Sequence, residues 1–270
     1  MIVIIVLIIL ILLYLFMIKP NTSRIEAMKE YEKVFIAHRG LFNNDDVPEN
    51  SLLAFKKAVD GAYGIELDVQ MTTDDKLVVF HDVSLKRMTG IDKKLTDCSY
   101  DELLQYNLLD TNEKIPLFTD VIKLLKKETP LIIEIKPEGR AIETVKGVVE
   151  VMKNYDGLYN IESFNPKVIY YLRKNEPQII RGQLAFDYFR DSDLNFLLKL
   201  VLSFLLANFL TRPDYIAYDH KSSYNLSFRL CSKLFKGECV AWTIKSQEEL
   251  KIAGKYYQQF IFDSFIPKKD

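Results

Sequence analysis

"YGIELDVQM", residues 63–71, reads as a strand, yet it carries Glu66 and Asp68 two positions apart. Alternation along a strand puts these two carboxylates on one face and Ile65, Leu67 and Val69 on the other. Like charges this close repel and resist burial unless a cation lies between them or one keeps its proton. Taken alone, an ExD pattern is better read as an edge strand with a solvated acidic face, so only the rest of the chain can overturn that reading.

Short apolar runs of the same kind recur along the chain. "VFIAH", "LVVFHD", "LIIEIKP", "NIESF", "QIIRGQL", "YIAYD", "CVAWTI" and "FIFDS" join "GIELDV" as nine strand candidates. Helical patterns such as "SLLAFKKAVDGA", "FTDVIKLLKKE", "PKVIYYLRKN" and "SQEELKIAGKYY" lie between most of them. This alternation predicts an α/β fold with a parallel sheet, and a closed (β/α)8 TIM barrel suits it best. A barrel of that kind has eight places, so one candidate either lies outside it or is not a strand. No Gly/Ser-rich linker or internal repeat divides the chain.

The composition, 49% hydrophobic and 27% charged over 270 residues, is that of a globular protein. With 36 basic against 37 acidic residues and no long basic run, nucleic acid is not an expected partner. Cys98, Cys231 and Cys239 show no CxxC spacing and no neighbouring histidine, so they read as unpaired thiols.

The first twenty residues, "MIVIIVLIILILLYLFMIKP", are apolar without a break from Ile2 to Ile18. They lack the basic start and small-residue cleavage site of a secretory signal, and they have no polar face. The expectation is a single-pass transmembrane anchor over residues 1–20, a juxtamembrane linker over 21–32 and a barrel domain over 33–270. Lys19, Arg24, Lys29 and Lys33 follow the anchor and place the barrel on the cytoplasmic side of the membrane. A second apolar stretch, Leu194 to Leu210, is interrupted by Asn195, Lys199 and Ser203. It reads first as an outer barrel helix and second as an apolar face resting on a bilayer.

Ionisable residues cluster where strands end. Glu134 and Lys136 in "LIIEIKP" share a face, "VFIAHRG" ends in His38 and Arg39, and "LVVFHD" ends in His81 and Asp82. Parallel barrel strands are covered on both sides, so such groups are expected to project into the mouth of the barrel. Their coincidence on four strands points to one shared site. Glu66, Asp68 and Glu134 are hard oxygen ligands suited to Mg²⁺ or Ca²⁺ rather than zinc. Arg39 and Lys136 offer donors for a phosphate, and His38 and His81 can exchange protons near neutral pH. Together they describe metal-assisted phosphodiester cleavage, with the division of acid and base between the histidines left open.

At these positions the sequence resembles the glycerophosphodiester phosphodiesterase family. The matching text is "AHRG" at 37–40, "PENS" at 48–51, "GIELDVQMTTDDKLVVFHD" at 64–82, "IP" at 115–116, "EIKP" at 134–137, "SF" at 163–164 and "AWT" at 241–243. The resemblance implies a barrel of the PLC-like phosphodiesterase type that hydrolyses glycerophosphodiesters to glycerol 3-phosphate and an alcohol. It implies metal ligation by Glu66, Asp68 and Glu134, acid/base work by His38 and His81, and phosphate binding by Arg39 and Lys136. Supporting roles are implied for Glu49, Phe164 and Trp242. Ser51, Asp75-Lys76 and Lys245 depart from the family pattern without touching a proposed ligand, and His220 matches no motif. Two alternatives follow from the same residues: a phospholipase-type phosphodiesterase acting on intact lipid, and a non-catalytic membrane-anchored headgroup-binding protein.

Overall fold

The structure, a computed structural model, describes residues 1–125, 127–190 and 192–268. All nine candidate strands form. β1 (Ile36–Ala37), β2 (Gly64–Met71), β3 (Leu77–Val79), β4 (Leu131–Ile135), β5 (Tyr159–Ser163), β6 (Arg181–Ala185), β7 (Tyr215–Asp219), β8 (Glu238–Ile244) and β9 (Gln259–Phe262) lie in one sheet. β1 pairs in parallel with both β2 and β9, which closes eight strands into a parallel barrel. β3 is the extra strand. It runs antiparallel to β2, with Val69 opposite Val79 and Met71 opposite Leu77.

This corrects one step of the sequence reading, which treated "LVVFHD" as a barrel stave delivering His81 from its carboxyl end. The intervening "TTDDK" is a tight turn: Asp75 takes a left-handed φ of 61°, and the Thr72 hydroxyl donates to Asp74 at 2.7 Å. The hairpin returns the chain toward the site, so His81 approaches from β2's own side.

Inward-facing residues fill the barrel. Ile36, Ile132, Leu184, Ala217, Val240 and Ile261 form an inner cluster. Across it the Tyr215 hydroxyl reaches the Asn160 Oδ1 at 2.6 Å and a Glu162 carboxylate oxygen at 2.8 Å. Gly182 makes room for that ring, since a Cβ there would stand 2.1 Å from it. The outward set, Ile65, Leu67, Val69, Ile133, Ile135 and Ile161, packs in the larger cluster beneath the helices.

α1 (Ile2–Ile18), α2 (Leu52–Asp60), α3 (Phe118–Leu125), α4 (Ala141–Met152), α5 (Pro166–Asn175), α6 (Phe196–Ser203) and α7 (Gln247–Ala253) are the longer helices. Polar residues cap several of them: Ser51 accepts from the Ala54 N–H, Asn165 from Lys167 and Ser246 from Glu249. α6 lies between β6 and β7 as an outer helix, in the place expected for the Leu194–Leu210 stretch.

The expected transmembrane anchor over residues 1–20 is not supported. Among the described residues no helix is long and apolar enough to cross a membrane. α1 has 17 residues, roughly 26 Å at the helical rise, against a hydrocarbon core of about 30 Å. The barrel also engages its last turns: the Tyr14 hydroxyl meets the Ser227 hydroxyl at 2.6 Å, and Asn208 donates to the Ile18 carbonyl at 2.8 Å. Beyond α1, the short turns Ile25–Met28 and Tyr31–Lys33 bury Met28 and Tyr31 completely, in the cluster that closes the barrel floor.

Glu238 opens β8 and is 3% exposed. Burial, with Glu32 nearby adding repulsion, pushes its carboxyl up to about 7. An acid whose folded-state pKa is raised destabilises the fold once it must ionise. The penalty is absent below its ordinary value, grows as pH rises through the window to about 7, and is complete above it. Glu238→Gln should therefore raise stability at pH 8 by about 2–3 kcal/mol. Urea unfolding midpoints should converge with wild type near pH 4.5, and a difference independent of pH would refute the assignment.

Candidate active site

The two carboxylates of β2 do face one side, and that side is the barrel interior. Glu66, Asp68 and Glu134 are 2%, 1% and 7% exposed, and each offers an oxygen within 4.8 Å of the others. The parallel register sets Asp68 level with Glu134. Burial, then the Asp68 and Glu134 charges, raises the Glu66 pKa well above the ordinary carboxylate range. Burial raises Glu134 as well, only partly offset by Lys136. Burial works on Asp68 in the same direction, but Lys136, His81 and Arg39 outweigh it and hold that group ionised.

The donors around this cluster are few. Lys136 Nζ lies 2.9 Å from Glu134 Oε1 and 3.3 Å from Asp68 Oδ1, yet neither oxygen accepts an aligned hydrogen bond. Arg39 Nε stands 3.4 Å from Asp68 Oδ2, and the Arg39 backbone N–H donates to Glu66 Oε2 at 3.0 Å. Unsatisfied carboxylate oxygens converging at this spacing fit a hard divalent cation.

The two histidines have parallel surroundings. His38 Nδ1 lies 2.9 Å from Asp263 Oδ2, and His81 Nδ1 lies 2.7 Å from Asp82 Oδ1. Burial raises Asp263, but its bonds to His38 and Ser264 prevail and bring it down to about 2. Asp82 is likewise held well below the usual range, burial being outweighed by His81 and Arg87. An ionised carboxylate only accepts, so each Nδ1 carries the proton that it donates. Burial, with the Arg39 charge beside it, lowers the His38 pKa, so this imidazole is neutral near pH 7 with its lone pair on Nε2. That nitrogen is 4.0 Å from Glu66 Oε2.

Local structure explains how these groups are aimed. Arg39 adopts a φ of 54° and Gly40 one of 81°, turning the chain sharply after β1; a Cβ on Gly40 would meet Ala54 at 2.8 Å. Glu49 accepts from Arg39 Nη1 at 2.7 Å and is also gripped by both terminal nitrogens of Arg87, whose Nε reaches Asp82 at 2.7 Å. An unbroken chain of charge-assisted contacts thus runs from Arg39 through Glu49, Arg87 and Asp82 to His81. Phe164 and Trp242 meet edge to face at 5.4 Å above the cluster. His38, Arg39, Glu66, His81, Glu134, Phe164 and Trp242 all line one cavity of about 140 Å³.

The residues singled out from the sequence therefore come together: the cavity is lined by all of them except Asp68, which sits against Glu66 and Glu134, Lys136, which reaches the same carboxylates from the adjoining groove, and Glu49, which supports Arg39 from outside. Four residues escaped that reading. Asp263 and Arg87 orient the histidines and Arg39, Asn50 donates to Asp68 Oδ2 at 2.8 Å, and Gln70 holds the Phe80, His81 and Asp82 carbonyls with one amide. Asn50 stood within the quoted "PENS", Gln70 within "YGIELDVQM" and Asp263 at the end of the strand "FIFDS", without a role being read for any of them; Arg87 carried no local signal. His220 lies outside the cavity, its Nε2 3.6 Å from Glu249.

The family model described as "Glycerophosphoryl diester phosphodiesterase family" matches residues 38–257. The chain belongs to this family. Glycerophosphodiester phosphodiesterase 1 of Bos taurus is 26% identical over 293 residues, covering 93% of this chain and 83% of that one. Among solved structures, the glycerophosphodiester phosphodiesterase of Thermotoga maritima superposes with a TM-score of 0.65 at 26% identity, covering 86% and 95% of the two chains. A phosphodiesterase of Oleispira antarctica, solved with the product sn-glycerol-3-phosphate, shares the fold with a TM-score of 0.68 at 22% identity and coverage of 86% and 92%. The chain is thus a glycerophosphodiester phosphodiesterase.

In this phosphodiesterase the Glu49 carboxylate, 4% exposed and brought down to about 2 by Arg87 and Arg39 against the upward pull of burial, is the link between both arginines. Glu49→Ala leaves the partly buried Arg39 short of its partner. It should lower stability by about 3 kcal/mol and reduce hydrolysis, measured by urea denaturation and initial rates. An unchanged urea midpoint would show that the link carries no structural weight.

Proposed function

We propose that the enzyme hydrolyses glycerophosphodiesters to glycerol 3-phosphate and an alcohol, with Mg²⁺ or Ca²⁺ held by Glu66, Asp68 and Glu134 and protons moved by His38 and His81. The observation that carries this reading is the pair of imidazoles at one cavity, each with Nδ1 tied to an ionised carboxylate. The family membership and the product bound to the Oleispira antarctica relative support the substrate class.

His38, neutral and with a free Nε2, takes the proton from the attacking hydroxyl as its oxygen bonds to phosphorus. His81 gives a proton to the departing alkoxide as the opposite P–O bond breaks. With the glycerol 2-hydroxyl as attacker, the first product is a cyclic phosphate. Water then opens it with the proton transfers reversed, which releases glycerol 3-phosphate and restores both histidines. Arg39 and Lys136 place positive charge beside the phosphate. A divalent cation held by Glu66, Asp68 and Glu134 would supply further stabilisation of the negative charge that builds on the phosphate.

Leaving-group chemistry tests the division of labour. His81→Ala should lose about two to four orders of magnitude on an alkyl diester and far less on a nitrophenyl diester, whose phenolate needs little protonation. His38→Ala should be impaired on both. Equal losses on both substrates for both variants would overturn the assignment. Exhaustive chelation should abolish wild-type activity and Mg²⁺ or Ca²⁺ restore it; activity surviving chelation would remove the metal from the reading.

Location belongs to the same proposal: the barrel works at the cytoplasmic face of a membrane, held by shallow insertion of α1. Residues Ile2 to Leu13 are apolar and exposed, and Lys19 follows six residues on. Ile8→Glu with Leu12→Glu should abolish flotation with anionic liposomes while leaving hydrolysis of a water-soluble substrate intact. Undiminished flotation would exclude α1 as the attachment.

A further inference from the structure

Two grooves adjoin the catalytic cavity of about 140 Å³, and both are far larger than it. One, of about 570 Å³, starts at His81 and Lys136 and passes Phe164 and Tyr188 to reach Leu194 and Leu202. The other, of about 540 Å³, starts at Trp242 and is lined by Asp187, Arg190, Asp219 and Lys245. His38 lines the cavity and neither groove, whereas His81 lines both the cavity and the first groove. With His38 as base for the glycerol 2-hydroxyl and His81 as acid for the departing alkoxide, the glycerol arm stays in the cavity and the alcohol leaves by a groove. That arm carries one more hydroxyl, at its free end. Enclosed in the barrel, it loses its water and needs a partner from the protein.

Most of the cavity wall is already committed. The two histidines, Arg39, Glu66 and Glu134 serve the protons, the phosphate and the cation, and Leu184 and Ile261 are apolar. Thr243 is half-buried and also lines the charged groove, toward the departing alcohol. Glu162 remains. It is 1% exposed, lines the cavity, and lies outside the group of three carboxylates that converge within 4.8 Å. β5 carries it level with Glu134 on one side and Gly182 on the other. The Tyr215 ring occupies the space over Gly182 and its hydroxyl holds Glu162 Oε2 at 2.8 Å. Among the described residues nothing hydrogen-bonds Oε1. One carboxyl oxygen is thus clamped from below, and the other is left for whatever fills the cavity.

We propose that Glu162 determines specificity for the glycerol arm: Oε1 pairs with the terminal hydroxyl while His38 engages the 2-hydroxyl, so the enzyme selects diesters whose glycerol keeps that terminal hydroxyl free. This deepens the glycerophosphodiester reading above and rests on it. A substrate lacking the hydroxyl leaves Oε1 buried against carbon, which costs more than the loss of an equal apolar contact. One whose hydroxyl is capped has no proton to donate and presses its extra atoms on Leu184 and Ile261.

The test compares kcat/KM for a glycerophosphodiester and for the matching diester of propane-1,2-diol, both at saturating Mg²⁺ or Ca²⁺. The second substrate keeps the phosphate, the attacking 2-hydroxyl and the departing alcohol and lacks only the terminal hydroxyl. Wild type should favour the glycerol diester by about ten- to a hundredfold, the range for a buried polar group that loses its partner. Glu162→Leu, of similar volume and without the carboxyl, should bring that ratio to within about threefold of unity, and Glu162→Met should do the same. Glu162→Gln keeps a hydrogen-bonding arm and the Tyr215 contact, and should preserve most of the preference. A wild-type enzyme indifferent to the hydroxyl, or a preference that survives in both apolar variants, would overturn the assignment and leave the phosphodiesterase reading standing. So would a Glu162→Leu variant whose only change is a higher cation concentration for half-maximal rate, because the carboxyl would then serve the metal. Inactivity of wild type toward every diester would remove the hydrolytic reading and the Glu162 assignment together.

Discussion

Three carboxylates held within a few ångströms of one another inside a closed barrel are the constraint around which the rest of the structure is arranged. Burial and mutual repulsion both favour their neutral forms, and Glu66 and Glu134 are shifted accordingly. What keeps the cluster in place is positive charge brought from two directions, Lys136 from the strand beside β2 and Arg39 from the turn after β1. Asp68 sits at the focus of both and remains ionised. A cation of higher charge density at the same point would satisfy the oxygens that the lysine only approaches, so the energetic tension in the cluster is the physical basis of the proposed metal site.

The second requirement is to aim two imidazoles at this cluster from unrelated segments. His38 follows β1 directly and is steadied by Asp263 from the end of β9, across the seam where the barrel closes. His81 arrives on a hairpin, and its segment is pinned because Gln70 donates to three successive carbonyl groups there. The Arg87 guanidinium then ties Asp82 to Glu49, and through it to Arg39. Orientation of His81 and of Arg39 is thus one connected network, so that disturbing one member is transmitted to the others, while His38 is held separately by Asp263.

The mouth of the barrel is asymmetric. Its apolar flank continues through Phe186, Tyr188 and Leu194 onto exposed residues of α6, and its charged flank collects Asp187, Arg190, Asp219 and Lys245. The floor is closed by Met28 and Tyr31, which stand between α1 and β1 in the sequence. Segments outside the repeating strand–helix pattern therefore shape the entrance and the floor, while the pattern itself supplies the walls.

Alternating apolar runs and amphipathic helices made the barrel legible in the sequence, because strands covered on both sides must be apolar except where they end at a site. The same rule exposed Glu66, Asp68, Glu134, Lys136, His38 and His81, since charge in a buried strand has to be compensated by something nearby. It could not show which of nine strands lay outside the barrel, because a three-residue hairpin strand and a short barrel stave have the same local pattern. Nor could it find Asp263, Arg87 or Gln70, whose residue types are ordinary at the surface and gain meaning only through partners far along the chain. The anchor was overread for a related reason: an unbroken apolar run records its own hydrophobicity, while the length free to enter a membrane is set by how many residues the barrel holds, here from Tyr14 to Ile18. Residue chemistry was written locally; partners, reach and the division of the mouth into an apolar and a charged groove arise from distances between remote segments, which only the closed tertiary structure decides.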